Sequence, residues 1–412
     1  MFDVRDYGAI GDGKTMNTGA VQKAIDECAK AGGGKVVIAE GKYLCGSISM
    51  RSNVELYIAA SGVLLASSRC EDFPEKTGLK HVQSNMLPRW RNACFIFAEE
   101  CENIAIGGQG TIDCNGDKFV VYRGEDVIGW RYERIDAPTP PRVVFFTGCK
   151  NVKITDVTMI NQPAGWSYWI HDCDYVHFDR INIEASVDYP NNDGIHINSS
   201  RNVNISNSNI TCGDDCIIVR ANNASLPENK VCEKVCVTNC NLTSYSAGIR
   251  IGWVNDGVIR NCAFSNIVMT DTTVGISLML PNLSRPLVAD VGREATLVEN
   301  LTFDNIIMHK ICSNSIKIEV GSSSCVLFEG IRNLYFSNLH VSGAEFPMLL
   351  GRKNAKLKNI CFNDCDFEIT DGKEFPNRRA HGGNTWFNNR LHVPVIRHIE
   401  GLKMNNVTWT IV

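Results

Sequence analysis

The chain has 412 residues, of which 41 are Lys or Arg and 45 are Asp or Glu, giving a formal net charge of −4. So even a balance excludes a general electrostatic grip on nucleic acid or on an anionic membrane. No run approaches the roughly 18 apolar residues that a membrane-spanning helix requires.

Taken from the N-terminus, the first residues lack the basic, apolar, small-residue order of a secretory leader, and strand-like sequence begins at Phe2-Asp3-Val4. The segment Thr18 to Lys30 then puts Ala20, Val21, Ala24, Ile25 and Cys28 on one helical face. Asn17 or Thr18 is available as N-cap and Gly32-Gly33-Gly34 as a stop. This helix is the expected lid on one end of the molecule.

Beyond the helix the chain is repetitive. Nine residues recur with apolar side chains at the second, fourth and ninth places and usually Asn or Asp at the sixth. Clear copies start at Asn151, Asn202, Lys234, Asn300, Asn333, Asn359 and Gly401, with weaker ones at Asn103, Tyr175 and Asp256. Most starts lie about 22 to 33 residues apart, which is solenoid spacing; the two longest intervals hold an extra turn or a long loop. Alternation marks a half-buried strand, and Asn or Asp at a fixed place marks a corner that tolerates left-handed backbone. Stacking predicts one polar ladder of Asp156, Asn207, Asn239, Asn261, Asn305, Asn338, Asp364 and Asn406, with Cys240, Cys262 and Cys365 sharing a register behind it. The expected fold is therefore all-β, a right-handed parallel β-helix (solenoid) with a short N-terminal capping helix, forming a single domain over 1–412.

Eighteen cysteines in so long a chain are not a small disulfide scaffold; placed alternately in strands, they read as small buried hydrophobes. A cytoplasmic protein with reduced thiols is expected, the alternative being a secreted or periplasmic one with its leader removed. Neither Cys212 and Cys216 nor Cys232, Cys236 and Cys240 has convincing metal-site spacing, so no metal and no cofactor are expected.

Two segments stand apart from the repeat: Pro190-Asn-Asn-Asp-Gly194 and Cys212-Gly-Asp-Asp-Cys216. Their aspartates, Asp193 and the pair Asp214 and Asp215, are about one coil apart and should share a face. Each motif alone also reads as a turn. Together they crowd three carboxyls, so that one tends to keep its proton. A protonated acid beside an ionised one is what glycosidic cleavage needs, the first for the leaving oxygen and the second for water.

These motifs, with Tyr7-Gly-Ala-Ile-Gly-Asp-Gly13 and the stretch from Pro163-Ala-Gly-Trp166 to His171, resemble glycoside hydrolase family 28, the polygalacturonases and related pectin hydrolases. The resemblance covers the first half of the chain well and extends loosely to the end. It implies an O-glycosyl hydrolase that inverts configuration by direct displacement, with Asp215 as general acid and Asp193 and Asp214 holding the attacking water. The distance rule for inverting pairs, about 6.5–9.5 Å, would not by itself have suggested this. Two family motifs are replaced. The Gly-His-Gly place reads Ser246-Ala-Gly-Ile-Arg-Ile-Gly252, with no histidine, and the Arg-Ile-Lys place reads Gly275-Ile-Ser-Leu-Met279, uncharged. Arg250, one coil beyond the acids, can supply positive charge either to a sugar acid or to an aspartate; an ion pair with a framework acid is the plainer alternative. Further expected substrate contacts are Asn191, His196, His171 and Trp166, with Tyr168, Trp169 and Trp253 as possible stacking platforms and Arg378, Arg379, His381 and Trp386 on a closing loop. Wall packing is the alternative for the histidines and aromatics.

The expected substrate is an oligosaccharide or polysaccharide of pectin type, such as a galacturonan or rhamnogalacturonan fragment. Neither nucleic acid nor membrane is an expected partner, and the sequence leaves the oligomeric state open. Two other functions fit the same architecture: a metal-dependent polysaccharide lyase and a non-catalytic carbohydrate-binding β-helix.

Overall fold

The computed structural model describes residues 1–81, 92–125, 127, 129–137, 139–140, 142–223, 226–253, 256–280, 295–321, 328–370 and 394–412. Its coils obey one local rule. In Asn202-Val-Asn-Ile-Ser-Asn207, the two outer asparagines take left-handed backbone, with φ of 54° and 53°, while Val203 and Ile205 between them are fully buried. Left-handed corners recur at Asn151 and Asp156, Lys234 and Asn239, Asn261 and Asn266, Asn300 and Asn305, and Asn333 and Asn338. Asn accepts this conformation at less cost than most L-residues, and each corner bends the chain round the core.

The corners make two ladders where the sequence suggested one. On the first, Asn151 donates to Asn103 at 3.1 Å, Asn300 to Asn261 at 3.1 Å and Asn333 to Asn300 at 2.9 Å. On the second, Asn239 donates to Asn207 at 3.1 Å, Asn266 to Asn239 at 3.3 Å and Asn305 to Asn266 at 2.7 Å. The weak copy assigned to Asp256 therefore starts at Asn261, five residues later. Asn261 moves to the first ladder and Asn266 fills its place. Cys262 accordingly leaves the column of Cys240: Cys240 lies opposite Ile267, and Cys262 opposite Leu301. Asn207 and Asn338 reach Asp179 and Asp304, and Arg180 holds Asp156.

The strands wind as a right-handed parallel β-helix whose coils pair in register. One sheet holds eleven described strands, each from a successive coil, running from Ile48–Ser49 to Val395–Arg397. A single inward column of it reads Ile96, Val144, Tyr168, Ile195, Ile217, Ile249, Ile276 and Ile316. Another column stacks Phe264, Phe303, Phe336 and Phe362 with ring centroids 4.8–4.9 Å apart, the spacing of neighbouring strands. Neither long interval places an extra coil between its flanking strands. Val258–Thr272 pairs directly with Thr296–Asn314, and Leu357–Ile369 with Lys403–Ile411.

The helix spans Thr18–Lys30 and buries Val21, Ala24, Ile25 and Cys28, with Ala20 half-buried. Asn17 stands at its start without capping it. The Asn17 side chain instead accepts from the Ile10 N–H at 2.7 Å and donates to the Ile10 and Thr15 carbonyls, tying down the incoming loop. The described cysteines are free and mostly buried. Burial pushes thiols such as Cys45 up to about 12, which suits packing rather than reactivity.

Candidate active site

Each acid motif bridges two sheets. Residues 185–194 link Asn182–Glu184 to Ile195–Asn198, and residues 213–216 link Asn209–Cys212 to Ile217–Arg220. The two bridges stack tightly, with the Gly194 N–H donating to the Asp215 carbonyl at 2.9 Å and the Ile195 N–H to the Cys216 carbonyl at 2.8 Å. A Cβ on Gly194 would lie 2.3 Å from the Cys216 carbonyl oxygen, and one on Gly213 would lie 2.3 Å from that of Tyr189. Glycine is required at both places for close approach. Fully buried Asn192 latches the bridges together, accepting from the Gly213 N–H at 2.7 Å and donating to the Ser186 carbonyl at 2.6 Å.

The result is one cluster: Asp193, Asp214 and Asp215 each place an oxygen within 4.8 Å of the others. Asp193 and Asp215 are buried and Asp214 is partly exposed. Their surroundings differ. Asp215 accepts from Ser246 Oγ at 2.7 Å, from the Ala247 N–H at 3.0 Å and from Arg250 Nη2 at 3.0 Å, all on Oδ1. Its Oδ2 accepts from Arg250 Nε. Asp214 accepts from Asn191 at 3.1 Å and from the Asp215 N–H at 3.0 Å. Burial and the adjacent Asp215 charge push Asp214 up to about 7. Asp193 is raised well above the usual carboxyl range by burial and by both neighbouring acids. Its Oδ2 pairs with His196 Nε2 at 2.9 Å, and its Oδ1 is buried without a partner among the described residues. Burial, with Arg220, Arg142 and Arg250 nearby, holds His196 well below its ordinary value, so it is neutral.

Two raised carboxyls, Asp193 and Asp214, beside a third acid are the kind of setting in which acid–base catalysis finds its proton donor. Three clustered carboxyls are also a donor set that a cation can use.

The other expected contacts divide. Asn191 and His196 do touch the acids. Arg250 pairs with a site acid, while the framework pair is Arg220 with Asp256, at 2.9 Å and fully buried. Trp166 is buried, its ring stacked 4.0 Å from His196 and 4.7 Å from Trp169, so it supports His196 and presents no open platform. Trp169 is buried with it, and Tyr168 belongs to the inward core column. His171 pairs with Thr147 at 2.9 Å on the neighbouring strand, away from the acids. Trp253 is the aromatic that reaches the cluster, lying 4.5 Å under the Arg250 guanidinium and partly exposed. Arg378, Arg379, His381 and Trp386 lie outside the described residues.

Sequence reading passed over four residues. Ser246, the first residue at the replaced Gly-His-Gly place, holds Asp215; the family comparison pointed there but looked for histidine. Asn192 carries the latch. Trp130, beside the hairpin of Val120–Tyr122 and Tyr132–Arg134, donates to the Gly213 carbonyl at 2.7 Å and borders the site. Lys317 is opposite Ser277, which is opposite Arg250. It is buried and lowered to about 8 by that burial. Only the coil register, which no local motif reveals, puts these groups in one column.

Comparisons with known proteins agree with this geometry. Residues 86–322 match the model of "Glycosyl hydrolases family 28", and residues 1–111 match "Rhamnogalacturonase A/epimerase, pectate lyase-like". A probable polygalacturonase of Vitis vinifera is 28% identical over 66% of this chain and 55% of its own length. One from Arabidopsis thaliana is 24% identical over 70% of this chain and 60% of its own. The chain thus spans a little over half the length of these two relatives. Among solved structures, an exopolygalacturonase of Thermotoga maritima superposes with a TM-score of 0.72 over 99% of this chain and 91% of its own, at 21% identity. With more than half of its residues matched by the family model, and with the motif acids gathered into one cluster, the chain belongs to glycoside hydrolase family 28.

Proposed function

We propose that this protein hydrolyses glycosidic bonds in a pectin-like oligosaccharide, a galacturonan or rhamnogalacturonan fragment, by acid–base catalysis at Asp193, Asp214 and Asp215. The observation that carries the reading is the meeting of three carboxyls within 4.8 Å, two of them raised, with both motif glycines needed for the approach. Asp215 protonates the leaving oxygen, while Asp193 and Asp214 hold and deprotonate the attacking water. The names of the relatives, polygalacturonases and exopolygalacturonases, support a pectic substrate. The test is a panel of defined galacturonan and rhamnogalacturonan oligosaccharides assayed for new reducing ends. Wild type should release them, and Asp215→Asn should lose about 10²–10⁴-fold in rate. No new reducing ends from any member would sink the proposal.

A lyase is the second reading, since the same carboxyls can hold a cation. It predicts unsaturated products and loss of activity on chelation; hydrolysis predicts saturated products and an unchanged rate.

A further inference from the structure

The resting site poses a chemical problem. Both oxygens of Asp215 accept from Arg250, and Oδ1 also accepts from Ser246 and Ala247. A carboxyl so engaged has no O–H to offer a leaving group. The two side chains are each about 7% exposed, so water does not compete for the pair. Arg250 nevertheless keeps a buried Nη1 without a partner among the described residues, and its guanidinium rests on the partly exposed Trp253 ring. Stacking of this kind lets a guanidinium turn in its own plane without losing its support.

Building on the hydrolase reading, we infer that Arg250 is an exchange clamp: a substrate carboxylate beside the scissile bond takes over its N–H donors, and only then is Asp215 free to act as the acid. Arg250 is a positioning residue in this scheme, and it confers selectivity for acidic sugars. A carboxylate matches the guanidinium fork in the same two-point manner as Asp215. A neutral or esterified sugar does not, and leaves Asp215 locked.

The protons balance. At rest Asp215 is paired with Arg250, and the cluster's proton sits on Asp214 or Asp193. Once Arg250 turns to the substrate, Asp215 loses its positive partner and takes the proton from Asp214, which is left ionised beside the water. Asp215 then gives that proton to the glycosidic oxygen as the C1–O bond breaks, the water oxygen bonds to C1, and the water's proton passes to Asp214. The sum is one water added across the bond. Asp215 ends ionised and Asp214 protonated, which is the resting distribution, ready to be clamped again as product leaves. The charged and titratable groups facing this exchange are Asp193, Asp214, His196 and Arg250 itself, with Arg220, Arg142 and Lys317 farther off.

Binding tests the clamp without turnover. Calorimetric titration with free galacturonic acid, which carries a carboxylate but no glycosidic bond to cleave, should show Asp215→Asn binding at least about tenfold tighter than wild type, because Arg250 is already released, a gain of about one charged hydrogen bond. Arg250→Met should lose that affinity, and Arg250→Lys should recover part of it. In turnover, wild type should favour free-acid over methyl-esterified oligomers in kcat/KM. In Arg250→Met that ratio should fall towards one, and the pH profile should change shape. Equal binding by wild type and Asp215→Asn, or an unchanged acid-to-ester ratio in Arg250→Met, overturns the clamp while leaving hydrolysis standing. Failure of the hydrolase reading looks different: no product from any substrate, whatever the binding.

Discussion

At the scale of single residues, the site is a problem in proton placement. Asp214 has an ordinary value of 3.8 and is pushed up to about 7. Between those two pH values the folded chain keeps a proton that the unfolded chain has released. Folding stability therefore falls as pH rises from about 4 to about 7 and levels off above. Asp193, raised for the same reasons, adds in the same direction. Asp214→Asn, which cannot ionise, should be more stable than wild type above pH 7, by about 1–3 kcal/mol, with the difference vanishing below pH 4. Urea unfolding at several pH values checks this, and a constant difference across the range would show that Asp214 is not perturbed. Removal of a residue of the proposed site that stabilises the fold would be the usual mark of a site that gives up stability for function. That the acids matter could be read from the motifs, since three aspartates one coil apart have few structural excuses. That Arg250, 35 residues later, could serve an aspartate was also legible; that Ser246, 31 residues later, holds Asp215 was not, because the replaced motif offered no acid partner.

At the scale of the repeated element, the corner asparagines do two jobs, adopting left-handed backbone and bonding to the next coil. Substitution can separate them. Asn305 has φ of 51° and donates to Asn266 at 2.7 Å. Asn305→Gly relieves the conformational demand but loses the rung, and should cost about 0.5–1.5 kcal/mol. Asn305→Ala loses the rung and also strains the corner, at about 1–2 kcal/mol more. Equal losses in thermal or denaturant unfolding would mean that the backbone demand is negligible. In the core, Phe303 lies between Phe264 and Phe336 with centroids 4.9 Å away on both sides. Phe303→Ala should cost about 3–5 kcal/mol, measured the same way. A loss under about 1 kcal/mol would mean that the neighbouring coils close the gap. The repeat itself was legible because its period is local. The slip at Asp256 arose because Asn261 and Asn266, five residues apart, both carry the corner residue type, so pattern alone does not separate first corner from second. Hydrogen bonding across coils does.

At the scale of the whole molecule, the winding brings together in one cluster groups that lie far apart in sequence. It also sets the stereochemical question. Carboxyl oxygens all within 4.8 Å of one another fall short of the roughly 6.5–9.5 Å expected of an inverting pair and lie nearer the roughly 5–5.5 Å of a retaining one. In the proposed mechanism Asp215 protonates the leaving oxygen, Asp193 and Asp214 act on the water, and no acid attacks carbon, so the first product should have inverted configuration at the anomeric carbon. Proton NMR of early product checks this; retained configuration would make one of the acids a nucleophile. By itself, the sequence determined the parallel β-helix, its capping helix and the identity of the acids, because those arise from short-range periodicity and from motifs a few residues long. Only the tertiary structure decided that Arg250 takes Asp215 and which residues join it: Ser246 on Asp215, Asn192 between the bridges, Trp253 under the guanidinium, Trp166 behind His196, and Lys317 in the Arg250 column. The physical reason is that neighbours in a solenoid are fixed by how many residues each coil spends on its loops. That length varies from coil to coil, so proximity across coils is set by the register of hydrogen-bonded strands and not by any local pattern of side chains.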